Sequence, residues 1–172
     1  MGVFNTAERE DRPVYNLIVL DAERGKWNFP ELKLTVMRKY NSVVKDGHPD
    51  CLIIEHKSSG IALVQELRKT GVPVTTTSPS GNQYAGGNDK FARGQRVLEI
   101  LSSGLVHIPS RAWAEMLIEE CAEFPNGDYD DLYDAFIQAL GRFRDGGFIS
   151  LATDEIEEPE EPRLMMPLYN LG

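Results

Sequence analysis

Short apolar runs rich in β-forming residues alternate along this chain with longer segments of helical periodicity, and this alternation constrains the fold most. The apolar runs predict strands at residues 14–20, 51–54, 72–77 and 105–109. The periodic segments predict helices at residues 30–45, 61–70, 90–102, 111–123 and within 128–144. Strands that alternate with helices predict an α/β fold with at least partly parallel pairing.

Two stretches carry no predicted helix or strand. Residues 1–13 are polar without clear periodicity, and residues 78–89 are rich in Gly, Ser and Asn, which is typical of a loop. A chain of 172 residues is long enough for one domain with a substantial core. We expect one domain over residues 1–150 and an acidic, flexible tail over residues 151–172.

The net charge of -9 disfavours a general nucleic-acid binder, because contact with phosphates usually requires a basic surface. Two observations weaken this argument. Six of the 27 acidic residues lie in the single stretch 154–161. Metal-dependent nucleases also need clustered carboxylates, and a bound divalent cation reverses the local charge.

The same composition bears on the compartment. No run approaches the ~20 consecutive apolar residues of a membrane helix, and the N-terminus lacks the pattern of a secretory signal. Cys51 and Cys121 both lie in apolar segments. This position predicts that they are small buried hydrophobic residues of a protein in a reducing compartment. We expect no membrane association and no secretion.

Glu55 is the first candidate for chemistry. It follows an apolar strand and precedes a turn of small residues, and ligands in open α/β sheets gather beyond the carboxyl ends of strands. A carboxylate at this position suits a metal ligand or a general base. The alternative is a solvated glutamate at the end of a strand.

Four aspartates at the start of the last predicted helix form the second candidate. Helix N-termini favour negative charge, so capping would account for one or two of them. Four acids within seven residues repel one another, and a divalent cation such as Mg²⁺ or Mn²⁺ would relieve that repulsion. Metal binding and capping both remain open for Asp128, Asp130, Asp131 and Asp134.

A basic group follows the predicted loop. Lys90, Arg93 and Arg96 are spaced to share one face of a helix, from which they could contact a phosphate backbone. The alternative is an ordinary solvated helix face.

Four patterns, in order, resemble the C-terminal nuclease domain of phage terminase large subunits over residues 14–144. They are YNLIVLDAERGKWNFPEL, CLIIEHKSSG, NDKFARGQ followed by LSSGLVHIP, and FPNGDYDDLYDAFIQAL. Each pattern alone is a weak signal. Their common order and compatible spacing make the resemblance more specific.

This resemblance implies an RNase H-like mixed sheet flanked by helices and a two-metal endonuclease. In such a site two Mg²⁺ or Mn²⁺ ions about 3.5–4 Å apart activate a water molecule and stabilise the leaving oxygen of a phosphodiester. By position, Glu55 would be the acid at the strand end, and Asp130 or Asp131 the acid at the last helix. Asp134 would assist them, and Lys90 would lie close to the metals or the scissile phosphate.

The chain departs from the family at its N-terminal side. The strand at residues 14–20 resembles the family's third strand, so the first strand and its aspartate would be absent. Asp11 is a poor substitute, and the sequence around Asp21 fits the third strand better. By the same resemblance, the ATPase domain that precedes the nuclease in this family would be absent as well. We therefore expect a truncated or split terminase, such as a prophage remnant, whose sheet a partner polypeptide could complete.

The expected function is metal-dependent cleavage of concatemeric double-stranded DNA in the host bacterial cytoplasm. Expected partners are the DNA, the terminase ATPase domain or small subunit, and the portal protein. One alternative is a catalytically impaired fragment that serves as a packaging or portal interaction module. Another is a different RNase H-like enzyme, such as a resolvase or transposase relative, which the Phe-Pro-x-Gly-x-x-Asp-Asp pattern disfavours.

Overall fold

The computed structural model describes residues 1–9, 12–44, 49–77, 90–149 and 151. These residues form a mixed α/β structure with small sheets. In chain order, the elements are β1 (Gly2–Arg9), β2 (Arg12–Ile18), α1 (Phe29–Val44), β3 (Leu52–Glu55), α2 (Ser59–Lys69), β4 (Val74–Thr77), α3 (Lys90–Ser102), β5 (Val106–His107), α4 (Ala112–Glu123) and α5 (Asp131–Asp145).

One sheet has the strand order β1-β2-β5. β1 and β2 pair antiparallel, from Gly2 opposite Ile18 to Arg9 opposite Arg12, and β2 pairs parallel with β5. The buried side chain of Asn16 on β2 meets the ring of His107 on β5 at 3.0 Å. The expectation that residues 1–13 contain no element was therefore wrong, because pairing with β2 stabilises a strand that has no strong apolar pattern of its own.

The second sheet consists of β3 and β4, which pair parallel from Leu52 opposite Val74 to Glu55 opposite Thr77. α2 connects the two strands, as parallel pairing requires a crossover. The predicted alternation of strand and helix and the partly parallel pairing are confirmed here, and the observed boundaries differ from the expected ones by at most two residues.

In the part of the chain that the structure describes, two clusters of buried side chains form the core. The larger lies between β2, α3, α4 and α5 and includes Leu17, Ile100, Leu117 and Leu140; the buried Leu151 also belongs to it. The smaller is built on Leu63, Leu67 and Val72, and α1 packs against it with partly buried side chains.

The apolar spacing along the predicted helices indicates that Leu34, Leu98 and Ile118 face the core, but the structure exposes all three. In α1 the expected core residue Leu34 is 71% exposed, and in α3 Ile100 is buried while Leu98 is 50% exposed. In α4 Ile118 is exposed, and the buried residues are Ala114, Leu117 and Glu120. Apolar residues on a helix only indicate which faces can be buried, and the neighbouring elements select one of them. Among the described helices, none has the length and apolarity that a bilayer crossing requires.

Candidate functional site

A cavity of about 1140 Å³ lies between the two core clusters. One side consists of β3 and the start of α2, and the other is the face of α5 from Asp131 to Phe143. Most of the lining is apolar. Among the described residues, four carboxylates line the same cavity, and Glu55, Asp131 and Asp134 are candidates from the sequence whereas Asp50 is not.

Glu55 reaches the cavity because β3 ends at this residue and the chain turns sharply into α2. The amide of Lys57 donates a hydrogen bond to the Glu55 carbonyl at 2.9 Å, and Ser58 has a φ of 47°. A Cβ atom at Gly60 would lie 2.1 Å from that same carbonyl oxygen. Glycine is therefore required for α2 to begin this close to the end of the strand.

A hydrogen bond across the structure ties the β3–β4 sheet to α5. The Thr77 hydroxyl donates to the side-chain oxygen of Gln138 at 2.8 Å, and Thr77 is the register partner of Glu55. Gln138 follows Asp134 by one helical turn on α5. This contact holds the strand that carries Glu55 beside the helix that carries the aspartates.

The aspartates divide into two groups. Asp131 and Asp134, in the first turn of α5, line the cavity, whereas Asp128 and Asp130 are not part of its lining. Asp130 occupies the N-cap position, but its side chain makes no capping hydrogen bond. Simple N-capping by the Asp130 side chain therefore does not explain the acidic sequence at this helix start.

The cap is supplied by Glu120 of α4, which the sequence-based interpretation missed. Its carboxylate is 4% exposed and accepts hydrogen bonds from the amides of Leu132 at 2.6 Å and Tyr133 at 3.1 Å. Arg24 donates to the same carboxylate at 2.5 Å, and its guanidinium lies 3.8 Å from the ring centroid of Tyr129. The sequence contained one signal for a buried Glu120. It follows Leu117 by three residues and therefore lies on the same face of α4.

Of the basic side chains that the structure describes, two also line the cavity. Lys57 follows β3 closely, and Arg142 lies in the last turn of α5. Neither was proposed from the sequence. The side chains of Lys90, Arg93 and Arg96 lie outside the described residues, although the backbone of α3, which carries them, packs against α5.

Asp21, considered above as a substitute acid, is engaged elsewhere. Its carboxylate forms an ion pair with Lys39, and Lys39 also contacts Glu23 at 2.8 Å. Arg38 pairs with Glu23 at 3.1 Å. These contacts attach the segment after β2 to α1, and they raise the pKa of Lys39 against the opposing effect of burial.

The carboxylates match Mg²⁺ or Mn²⁺ in donor type, because these ions prefer oxygen ligands. The distances between these carboxylates, however, do not match those of a metal site. Within the described part of the chain, no three His, Cys, Asp or Glu side chains are grouped closely enough to hold a metal ion. Glu55, Asp131 and Asp134 therefore share a cavity without forming a closed ligand set.

Comparison with known proteins identifies no relative. No protein-family model matches the chain, and no curated protein and no solved structure matches it significantly.

Proposed function

We propose that this chain is the nuclease part of a DNA-packaging terminase large subunit and cuts double-stranded DNA with divalent metal ions. The proposal rests on the resemblance of four ordered sequence patterns, and one structural observation supports it. Glu55 and the pair Asp131 and Asp134, which lie far apart in the sequence, line one cavity. Glu120 already accepts hydrogen bonds from two amides at the start of α5, which leaves fewer amides for this pair to cap.

The residues of this chain suggest a division of roles. Glu55, Asp131 and Asp134 would hold the cations, and Asp130 is kept as an alternative ligand from the adjoining turn. When bound, Mg²⁺ or Mn²⁺ supplies an activated water and stabilises the leaving oxygen. In the described structure, these carboxylates share the cavity without closing around a metal ion.

DNA contact requires positive charge close to these acids. Lys57 and Arg142 line the same cavity and would contact phosphate oxygens on either side of the cleavage position. Lys90, Arg93 and Arg96 on α3 are proposed to extend that contact along the backbone of the duplex. The proposed setting is the host bacterial cytoplasm, with the terminase ATPase domain or small subunit as partner.

A matched pair of variants tests this function. Asp131→Asn removes one carboxylate from the cavity, and Asp128→Asn makes the same charge change at a residue outside the lining. We expect the chain, or the chain with its partner, to nick supercoiled plasmid with Mn²⁺ or Mg²⁺ and to stop on chelation. Asp131→Asn should lower the rate at least about 100-fold.

The control variant Asp128→Asn should retain its rate and its Mn²⁺-dependent increase in melting temperature. Equal cleavage by the two variants would remove the basis for the site. So would cleavage that persists in excess chelator.

A second function, a non-catalytic packaging module that binds the portal protein, is favoured by the open arrangement of the described carboxylates. It predicts binding to portal protein without any metal requirement. Binding that survives deletion of residues 152–172 would exclude the acidic tail as the docking segment. Metal-dependent cleavage by the unmodified chain would contradict this alternative.

A further inference from the structure

One edge of β3 has no strand partner among the described residues. Leu52 and His56 donate their amides to the carbonyls of Pro73 and Thr77 on the side of β4. Bonding groups two residues apart in a strand point to the same side, so Ile54 also faces β4 and Ile53 faces away. Within the described residues the sheet contains only β3 and β4. The amide and carbonyl of Ile53 therefore have no neighbouring strand to pair with on their side.

The cavity runs along this free edge. All five consecutive residues from 51 to 55 line it, whereas no residue of β4 does. A cavity against one face of a sheet would touch only alternate residues of the strand, because successive side chains point to opposite faces. Contact with every residue is the pattern expected where a neighbouring strand is missing.

The walls of the cavity suit apolar side chains on both faces of such a strand. On one side α5 presents the small residues Ala135 and Ala139, which leave room for an additional backbone. On the other side lie Leu32 and Leu63. Several large apolar residues that line it are exposed: Leu20 is 47%, Phe148 40% and Val43 36% exposed.

Contiguous exposed apolar surface marks an interaction site. At about 1140 Å³ the cavity exceeds the usual range of small-molecule pockets, roughly 300–1,000 Å³. An unpaired strand edge adds the backbone donors and acceptors that recognise another strand. These features together specify an extended peptide rather than a small ligand.

We propose that this cavity, hereafter the strand slot, binds an extended apolar segment of a partner polypeptide. The segment would pair with β3 through Ile53 and fill the space between α5 and α2. Four paired residues would match the length of β3, about 13 Å. Apolar residues on both faces of the segment distinguish this partner from an amphipathic edge strand. The proposal does not depend on DNA cleavage.

The test uses the full chain and a synthetic peptide with four consecutive Val and Ile residues, flanked by lysines for solubility. Amide hydrogen exchange at Ile53 is followed by NMR, with Ile54 as the internal reference that already faces β4. We expect the peptide to slow exchange at Ile53 at least tenfold and to leave Ile54 nearly unchanged. A peptide of the same length with prolines at the two central positions should have no effect.

Two variants locate the effect. Ala135→Trp places a large side chain in the strand slot, and Ala122→Trp makes the same change at an exposed residue of α4 outside it. We expect Ala135→Trp to abolish protection by the peptide and Ala122→Trp to preserve it. Failure of the peptide to protect Ile53 in the unmodified chain would overturn the proposal, whatever the result of the cleavage assay.

Two other occupants have distinct signatures. If Ile53 is already protected in the free chain and loses protection on dilution, a second copy fills the slot. If the protection is independent of concentration and Met165→Asp removes it, the chain's own C-terminal residues fill the slot. Either result would overturn the assignment to a separate polypeptide.

Discussion

The carboxylate of Glu120 accepts a hydrogen bond from the backbone amide of Leu132 at 2.6 Å, so that α4 caps the N-terminus of α5. This bond joins two helices of the larger core through a buried charge. It also bears on the proposed function, because this cap comes from α4 and not from the aspartates at the start of α5.

Loss of Glu120 should strongly destabilise the fold. Glu120→Ala leaves the amides of Leu132 and Tyr133 without their acceptor and Arg24 without its partner. We expect a decrease of about 2–4 kcal/mol in the free energy of unfolding, measured by urea denaturation. Glu119→Ala, at the exposed neighbouring residue, should change it by less than about 0.5 kcal/mol. Similar losses in both variants would show that the cap is not the cause, since Ala has a higher helix propensity than Glu.

The hydrogen bond between Thr77 and Gln138 should couple the small sheet to α5. We expect Thr77→Val and Gln138→Leu each to cost about 1 kcal/mol. In a double-mutant cycle the two changes should be non-additive by at least about 0.5 kcal/mol. Additive effects would mean that the contact does not join the two sides of the cavity in solution.

Two Gly→Ala substitutions should change the stability of the fold in opposite directions. Gly60→Ala places a methyl group 2.1 Å from the Glu55 carbonyl and should destabilise the chain by about 1–3 kcal/mol. Gly141 lies inside α5, and a Cβ atom added there would meet nothing within 4 Å, so Gly141→Ala should stabilise by roughly 0.5–1 kcal/mol. Thermal unfolding of both variants checks the pair. A stable Gly60→Ala would show that α2 can begin farther from Glu55.

The ion pairs of Glu66 should make stability depend on pH in the acid range. Hydrogen bonds from Lys33 and then Lys69 lower the pKa of Glu66 from 4.5 to about 2. A lowered pKa in the folded state contributes stability above the unfolded pKa, and this contribution is lost as the pH falls from about 4.5 towards 2. The stability difference between the wild type and Glu66→Gln should therefore shrink over that range. This stability difference should also shrink with added salt, which screens the ion pairs. A difference that stays constant with pH would contradict the lowered pKa of Glu66.

Cys121 should be unreactive in the folded chain. Burial, and secondarily the charge of Glu120, raises the pKa of its thiol from 9.0 to about 11, which lowers the thiolate fraction about 100-fold at neutral pH. In a Cys51→Ser background, alkylation by iodoacetamide should be slow in buffer and reach the rate of an ordinary thiol in urea. Rapid alkylation of the folded variant would argue that α4 separates from the core.

The local pattern of the sequence determined most of the elements. The helix at Lys90–Ser102 was predicted with its observed ends, and β3 and β4 were predicted as two apolar runs separated by a helical segment. Such elements are predictable because helical periodicity and short β-rich runs are properties of neighbouring residues. The candidate position of Glu55 at a strand end came from the same local signal.

Tertiary structure alone decided the rest. β1 forms because β2 pairs with it, and Glu120 becomes a cap because α4 places it against Leu132. The sequence indicated Glu55 and Asp131 as two separate candidates for chemistry. Only the packing of α5 beside β3 places both at one cavity. The free edge at Ile53 is likewise a property of the assembled sheet. Contacts between distant segments depend on the whole arrangement of elements, which no local pattern contains.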